Sequence, residues 1–149
     1  MPDKKTISRA RKDAREGKAP STQAGEFVHE EMEHIRQGKH GARSAKQAIA
    51  IGLSKARRAG VKLPPPKKGT VSEATRKQAL RNNAQGDAPT HSPSAKRSQA
   101  TKRTLKREGS RAASHSALSR QARASARKRG AANRREAARK AVHTKEKMK

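Results

Sequence analysis

Large apolar side chains are scarce in this chain, and where they fall limits what can pack. Val, Ile, Leu, Met and Phe total 17 among 149 residues, thirteen of them lie before residue 81, and Phe27 is the sole aromatic. Residues 95–149 hold only Leu105, Leu118, Val142 and Met148. A fully buried side chain of this kind contributes roughly 1.5–3 kcal/mol. Ordering a residue costs about 1–2 kcal/mol. Four apolar side chains cannot offset the ordering of so long a segment, which is expected to be disordered or conditionally helical.

Charge runs the other way. The chain has 39 Lys+Arg against 12 Asp+Glu, a formal net charge of +27. Residues 1–40 are nearly balanced, with nine basic and seven acidic side chains, whereas residues 41–149 hold thirty basic and five acidic ones. So basic a chain repels itself unless a polyanion neutralises it, and nucleic acid is the abundant cellular polyanion. With no cysteine, a disulfide framework and thiolate chemistry are excluded. The longest apolar run is Ala48-Ile49-Ala50-Ile51, too short for a membrane span, and Met1-Pro2-Asp3-Lys4-Lys5 lacks the apolar stretch of a signal peptide. A cytoplasmic protein is expected.

Four segments follow from composition: a polar N-terminal arm at 1–20, a helical module at 21–84, a linker at 85–94 and a basic tail at 95–149. In the arm a short helix over 8–16 is expected. In the module Ser21 and Thr22 offer N-caps, and Glu26 suits the first turn of a helix over about 23–37. Val28, Met32 and Ile35 recur at helical spacing with Phe27 beside them. Ser44-Ala45-Lys46-Gln47 reads as a capping box opening a second helix. Gly60 stands where a left-handed C-cap glycine belongs, and Pro64-Pro65-Pro66 stops continuation. At 100° per residue, Ala45, Ala48, Ile49, Gly52, Leu53, Ala56 and Ala59 share one face of that helix. Arg43, Lys46, Gln47, Ala50, Ser54, Arg57 and Arg58 share the opposite one, while Ile51 and Lys55 fit neither. Thr70-Val71-Ser72-Glu73 offers a third capping box, for a helix over 71–84. The fold class is therefore all-α, two or three short helices followed by the tail.

The chemistry suggested is phosphate binding. Arg43, Lys46, Arg57 and Arg58 lie on one side of the second helix, where small Ala50 and Ser54 allow close approach to a sugar-phosphate backbone. Lys62, Lys67 and Lys68 continue the charge. In the tail, Lys96, Arg97, Lys102, Arg103, Lys106, Arg107, Arg120, Arg123, Arg127, Lys128, Arg129, Arg134, Arg135, Arg139 and Lys140 recur every few residues. No aromatic side chain is available there for base stacking, and few Asn or Gln are placed to read base edges. Sequence-nonspecific DNA binding of a nucleoid-associated kind is the expected function. Structured RNA is the alternative partner. A third reading makes the protein an adaptor that docks a partner through Phe27, Val28, Met32 and Ile35, its tail a tether to nucleic acid.

Glu26, Glu30, Glu31 and Glu33 read first as a solvated acidic helix face, with contact to a partner protein or folding back on the basic tail in competition with nucleic acid as the alternatives. His29-Glu30-Glu31-Met32-Glu33-His34 resembles a metal motif without matching it, since a zincin helix needs its two histidines four apart and these are five apart. Pairs at i,i+4, His29 with Glu33 and Glu30 with His34, read better as helix-stabilising contacts. His40, His91, His115 and His143 are scattered without ligand spacing. No metal, cofactor, small-molecule substrate, membrane contact or enzymatic activity is expected.

The stretch Ser21-Thr22-Gln23-Ala24-Gly25-Glu26-Phe27-Val28, with Gly38-Lys39-His40-Gly41 and the run Lys46 through Gly60, resembles a family of small basic bacterial proteins classed as a domain of unknown function. The resemblance covers roughly residues 1–80 and implies a bacterial, cytoplasmic protein without assigning an activity. The tail is similar in composition to bacterial histone H1-like proteins, which coat DNA through basic, Ala-rich segments. It departs from them in its abundant Arg and Ser and in lacking a regular Lys-Ala repeat.

Overall fold

A computed structural model describes residues 2–86 and 94–147. Among the described residues there are seven α-helices and one 3-10 turn, and no strand beyond an isolated bridge between Lys68 and Val71. The helices are α1 (Lys4–Arg15), α2 (Pro20–Arg36), α3 (Ala45–Arg58), α4 (Glu73–Gly86), α5 (Ala95–Arg107), α6 (His115–Lys128) and α7 (Gly130–Lys147), with the 3-10 turn at Ser110–Ala113. The chain divides into two compact units, Met1–Ser114 and His115–Lys149.

In the first unit the core is built mostly from small residues. Ala10, Ala24, Phe27, Ala56, Val61 and Leu63 form one buried cluster, with Ile7 and Leu53 packed against it. Helix α2 packs on both α1 and α3, and α3 packs in turn on α4. Small side chains let these helices approach closely. At Gly52 a Cβ would lie 2.7 Å from the Cα of Val28, so the close α2–α3 crossing requires the absence of a side chain there.

Helix boundaries show the local chemistry. Ser44 caps α3, its hydroxyl accepting from the Gln47 amide at 3.2 Å, and the Gln47 side chain reaches back to the Arg43 amide at 2.8 Å. Gly60 takes φ +91°, the Gly60 amide donates to Arg57 and the Val61 amide to Ala56. This pair of bonds is the Schellman termination expected of a C′ glycine. Gly38 ends α2 with the same two bonds. The bonds at Gly60 turn the chain so that Val61 and Leu63 are buried in the core.

Several expectations are corrected. Helix α2 starts earlier than Ser21 or Thr22 would place it: Pro20 takes the first helical position behind Ala19, with no side-chain cap. Pro is suited there because its missing N–H would have no partner anyway. At α4 the amide of Thr75 bonds to the Ser72 hydroxyl at 3.2 Å, so Ser72 and not Thr70 caps the helix. The arm is part of the module, since α1 buries Thr6, Ala10 and Asp13 at one-face spacing. Lys18 closes α1 by an ion pair to Asp13 at 2.8 Å and another to Glu16 at 2.8 Å. The hydrogen bond from Lys18 holds the Glu16 carboxyl below its ordinary range, and those to Asp13 and Glu16 push the Lys18 ammonium up.

The count of two or three helices was too low, and the tail is helical where disorder was one expectation. Ser94 caps α5, accepting from the Arg97 amide at 3.3 Å. The loop after α2 holds its other end: the Gly41 amide donates to Leu105 at 2.9 Å and the Ala42 amide to Gly109 at 3.2 Å. A Cβ on Gly41 would collide with the backbone of Glu108. Ala112 and Ala113 are buried, and the Arg36 guanidinium donates to the Ala113 carbonyl at 3.1 Å. Residues 95–114 therefore belong to the first compact unit. Most of the linker expected over 85–94 lies outside the described residues.

In the second unit α6 packs on α7. Ala117, Leu118, Gln121, Ser125 and Ala126 are half-buried, whereas every described residue of α7 is exposed. With almost no apolar face, α7 relies on the helix propensity of Ala and Arg. The Lys140–Glu136 pair at i,i+4 adds to it.

Candidate nucleic-acid interface

The basic positions divide by burial. On α3, Lys46 and Arg58 are exposed, as is Arg43 just before the helix, but Arg57 is buried at 8% exposure. The Arg57 guanidinium donates to the Pro64 carbonyl at 3.4 Å, and burial pushes its pKa down. Arg57 is thus withdrawn from any phosphate, a correction to its place on the basic face. Ala50 is exposed and Ser54 half-buried, and both face a groove instead of a flat helix surface. With Lys46, Ile49, Leu53 and Ala79 they line a groove of about 510 Å³ between α3 and α4. Arg43 stands 3.7 Å from Glu108, and the Arg58 side chain bonds the Ser54 carbonyl. Lys62, Lys67 and Lys68 are exposed in the segment after α3.

The remaining candidates present their charge outward. Lys96, Arg97, Lys102, Arg103, Lys106 and Arg107 on α5 are exposed, while Leu105 is half-buried on the side opposite Lys96, Arg103 and Arg107. On α6, Arg120, Arg123 and Arg127 are exposed and gather within a quarter-turn, opposite half-buried Leu118, Gln121 and Ser125. Lys128 and Arg129 are exposed at its end, and Arg134, Arg135, Arg139 and Lys140 on α7. Arg134 also bonds the Ala126 carbonyl at 3.0 Å. The face formed by Arg120, Arg123 and Arg127 spans about 10 Å of helix. Duplex DNA presents roughly six phosphate charges over that length.

The acidic residues near the N-terminus are not a solvated face. Glu26 pairs with Arg9, Glu33 with Arg36 at 2.8 Å, and Glu30 accepts from the Asp3 amide. Glu31 is fully buried, with Lys55 Nζ 2.6 Å from one oxygen and His40 Nε2 3.2 Å from the other. The Lys55 ammonium neutralises the carboxylate, although neither oxygen has a well-aligned hydrogen bond. Lys55, which matched neither face of its helix in the sequence, is thereby explained. The adaptor surface is corrected as well: Phe27, Met32 and Ile35 are buried in the first unit and Val28 is half-buried against α3.

Of the two i,i+4 pairs read from the sequence, Glu30 with His34 is present, an oxygen lying 3.9 Å from Nε2, whereas His29 with Glu33 is not. His29 is exposed and Glu33 is engaged by Arg36. Instead Glu31, His34 and His40 place ligand-capable atoms within 4.8 Å of one another, and Asp3, Glu30 and His34 form a second such group. No spacing signal marked His40, because the turn at Gly38 brings it back to α2.

Residues 20–68 match a family of unknown function (DUF6496). This span runs from the start of α2 through α3 to Lys68 and is narrower than the first 80 residues. No curated protein and no solved structure matches the chain.

Proposed function

We propose that this protein binds duplex DNA without sequence preference, as a nucleoid-associated, histone H1-like protein acting by phosphate neutralisation. The observation carrying the reading is the exposure of the cationic side chains on α5 in the first unit and, separately, on α6 and α7 in the second, with few carboxylates among them. Several acids of the first unit are paired with its own bases, as in Glu31–Lys55, Asp13–Lys18 and Glu33–Arg36. Those carboxylates do not compete with phosphate for the basic helices.

Binding should be steeply salt-dependent. If roughly eight phosphates are neutralised, log K falls with log salt at a slope near −7. Replacing Arg120, Arg123 and Arg127 by Ala should make the slope shallower by about 3, since each phosphate contact contributes about 1. A wild-type slope shallower than about −3 would overturn the proposal that these helices dominate binding. Competition by structured RNA at equal nucleotide concentration separates the two nucleic acids: preferential displacement by RNA would replace DNA as the partner.

A further inference from the structure

Glu31, His34 and His40 form a mixed carboxylate–imidazole cluster between α2 and the loop that follows it. Three features distinguish it from an ordinary ion-pair network. The first is His40. Its Nδ1 lies 3.1 Å from the Gly41 carbonyl oxygen and its Nε2 3.2 Å from Glu31 Oε1. A neutral imidazole has a single N–H. With that N–H on Gly41, the Nε2 lone pair and the Glu31 oxygen face each other as two acceptors. A cation between them resolves the contact.

The second is charge. Asp3 and Glu30 bring carboxylates to 3.6 and 3.9 Å of His34 Nε2, and Glu31 adds a third, against the single ammonium of Lys55. With neutral imidazoles these groups leave two negative charges uncancelled, which one divalent ion would neutralise. Third, the supporting contacts suit ligation. Lys55 holds Glu31 Oε2 at 2.6 Å and leaves Oε1 free, while Gly41 orients the His40 ring. Partners of this kind fix the tautomer and direction of metal ligands.

We propose that Glu31, His34 and His40 bind a divalent transition metal of the zinc class, with Glu31 Oε1, His40 Nε2 and one ring nitrogen of His34 as ligands. Imidazole and carboxylate are the donors zinc accepts. Two ligands each about 2.1 Å from a tetrahedral ion stand roughly 3.4 Å apart, close to the His40–Glu31 separation. Side-chain exposures of 18% for His40 and 13% for His34 leave an entry path, while Glu31 has none. The ion would tie the loop to α2 beside Gly41, where α5 is received. This assignment stands apart from the DNA-binding proposal, since none of its ligands belongs to the basic surface.

The test is zinc titration of the full-length protein by calorimetry and thermal melting, with cobalt(II) as the spectroscopic probe. Wild type should bind one zinc per chain, melt at higher temperature with zinc, and give cobalt d–d absorption of a four-coordinate N/O site. His40→Ala and His34→Ala should each weaken binding by at least about tenfold and abolish the melting shift, while His29→Ala changes neither. The cobalt spectrum of wild type needs no variant, so a misfolded substitution leaves the proposal testable. Absence of stoichiometric binding, or binding unchanged in both variants, would show a metal-free ion-pair cluster and overturn it.

Discussion

Glu31 holds a charge at a position with no exposed surface, and Lys55 is the group that neutralises it at 2.6 Å. Removing one member of a buried pair strands the other, which costs about 3–5 kcal/mol. Lys55→Met should therefore lower stability by about that amount, read as a shift in the denaturation midpoint. The double variant Glu31→Leu, Lys55→Met should recover most of the loss, because well-packed apolar replacements often match a buried pair. Side by side on α3, Lys55 and Arg57 show how far single residues were legible. By helical angle Arg57 belonged to the outward face and Lys55 to neither. Packing reversed this: α4 and the Pro segment cover Arg57, while α2 places a carboxylate in front of Lys55. Helical angle measures position around one axis and carries no information about which neighbours surround it.

At the scale of the element, the α2–α3 contact turns on Gly52. A β-branched side chain there would meet the Val28 backbone, and overpacking of this kind costs about 1–3 kcal/mol. Gly52→Val should show that loss in a denaturant melt, whereas Ala59→Val, at an exposed position after α3, should change little. Helix ends with local signals were legible. Gly60 and Ser44 work through bonds to residues within five positions, so the sequence contains both partners. The start of α2 was less so, and of α1 only the part overlapping the helix expected over 8–16 was legible. Helix α1 buries Thr6, Ala10 and Asp13, residues too small or polar to produce an apolar stripe, and they become interior through α2 and, at Ala10, the cluster with Ala56, Val61 and Leu63. The turn at Ser110–Ala113 was missed for the same reason, since it packs on α2 and α3, helices far earlier in the chain.

For the molecule as a whole, α7 is the described helix with the least burial. Its described residues are all exposed and most of its ionised groups are basic. Like charges along a helix destabilise it, so neutralisation by phosphate should strengthen it. Circular dichroism of the full-length protein should show helix content rising when duplex DNA is added and falling again with salt. Unchanged ellipticity through saturation would mean that binding leaves the tail helices as they are. The sequence by itself determined the all-helical class, the principal caps of α3 and the surplus of positive charge, because each depends on composition or on residues a few positions apart. Tertiary structure decided which charges face solvent, that residues 95–114 join the first unit, and that Glu31, His34, His40 and Lys55 meet. Those outcomes depend on contacts between helices distant in the chain, for which burial is set by the neighbouring surface and not by the residue itself.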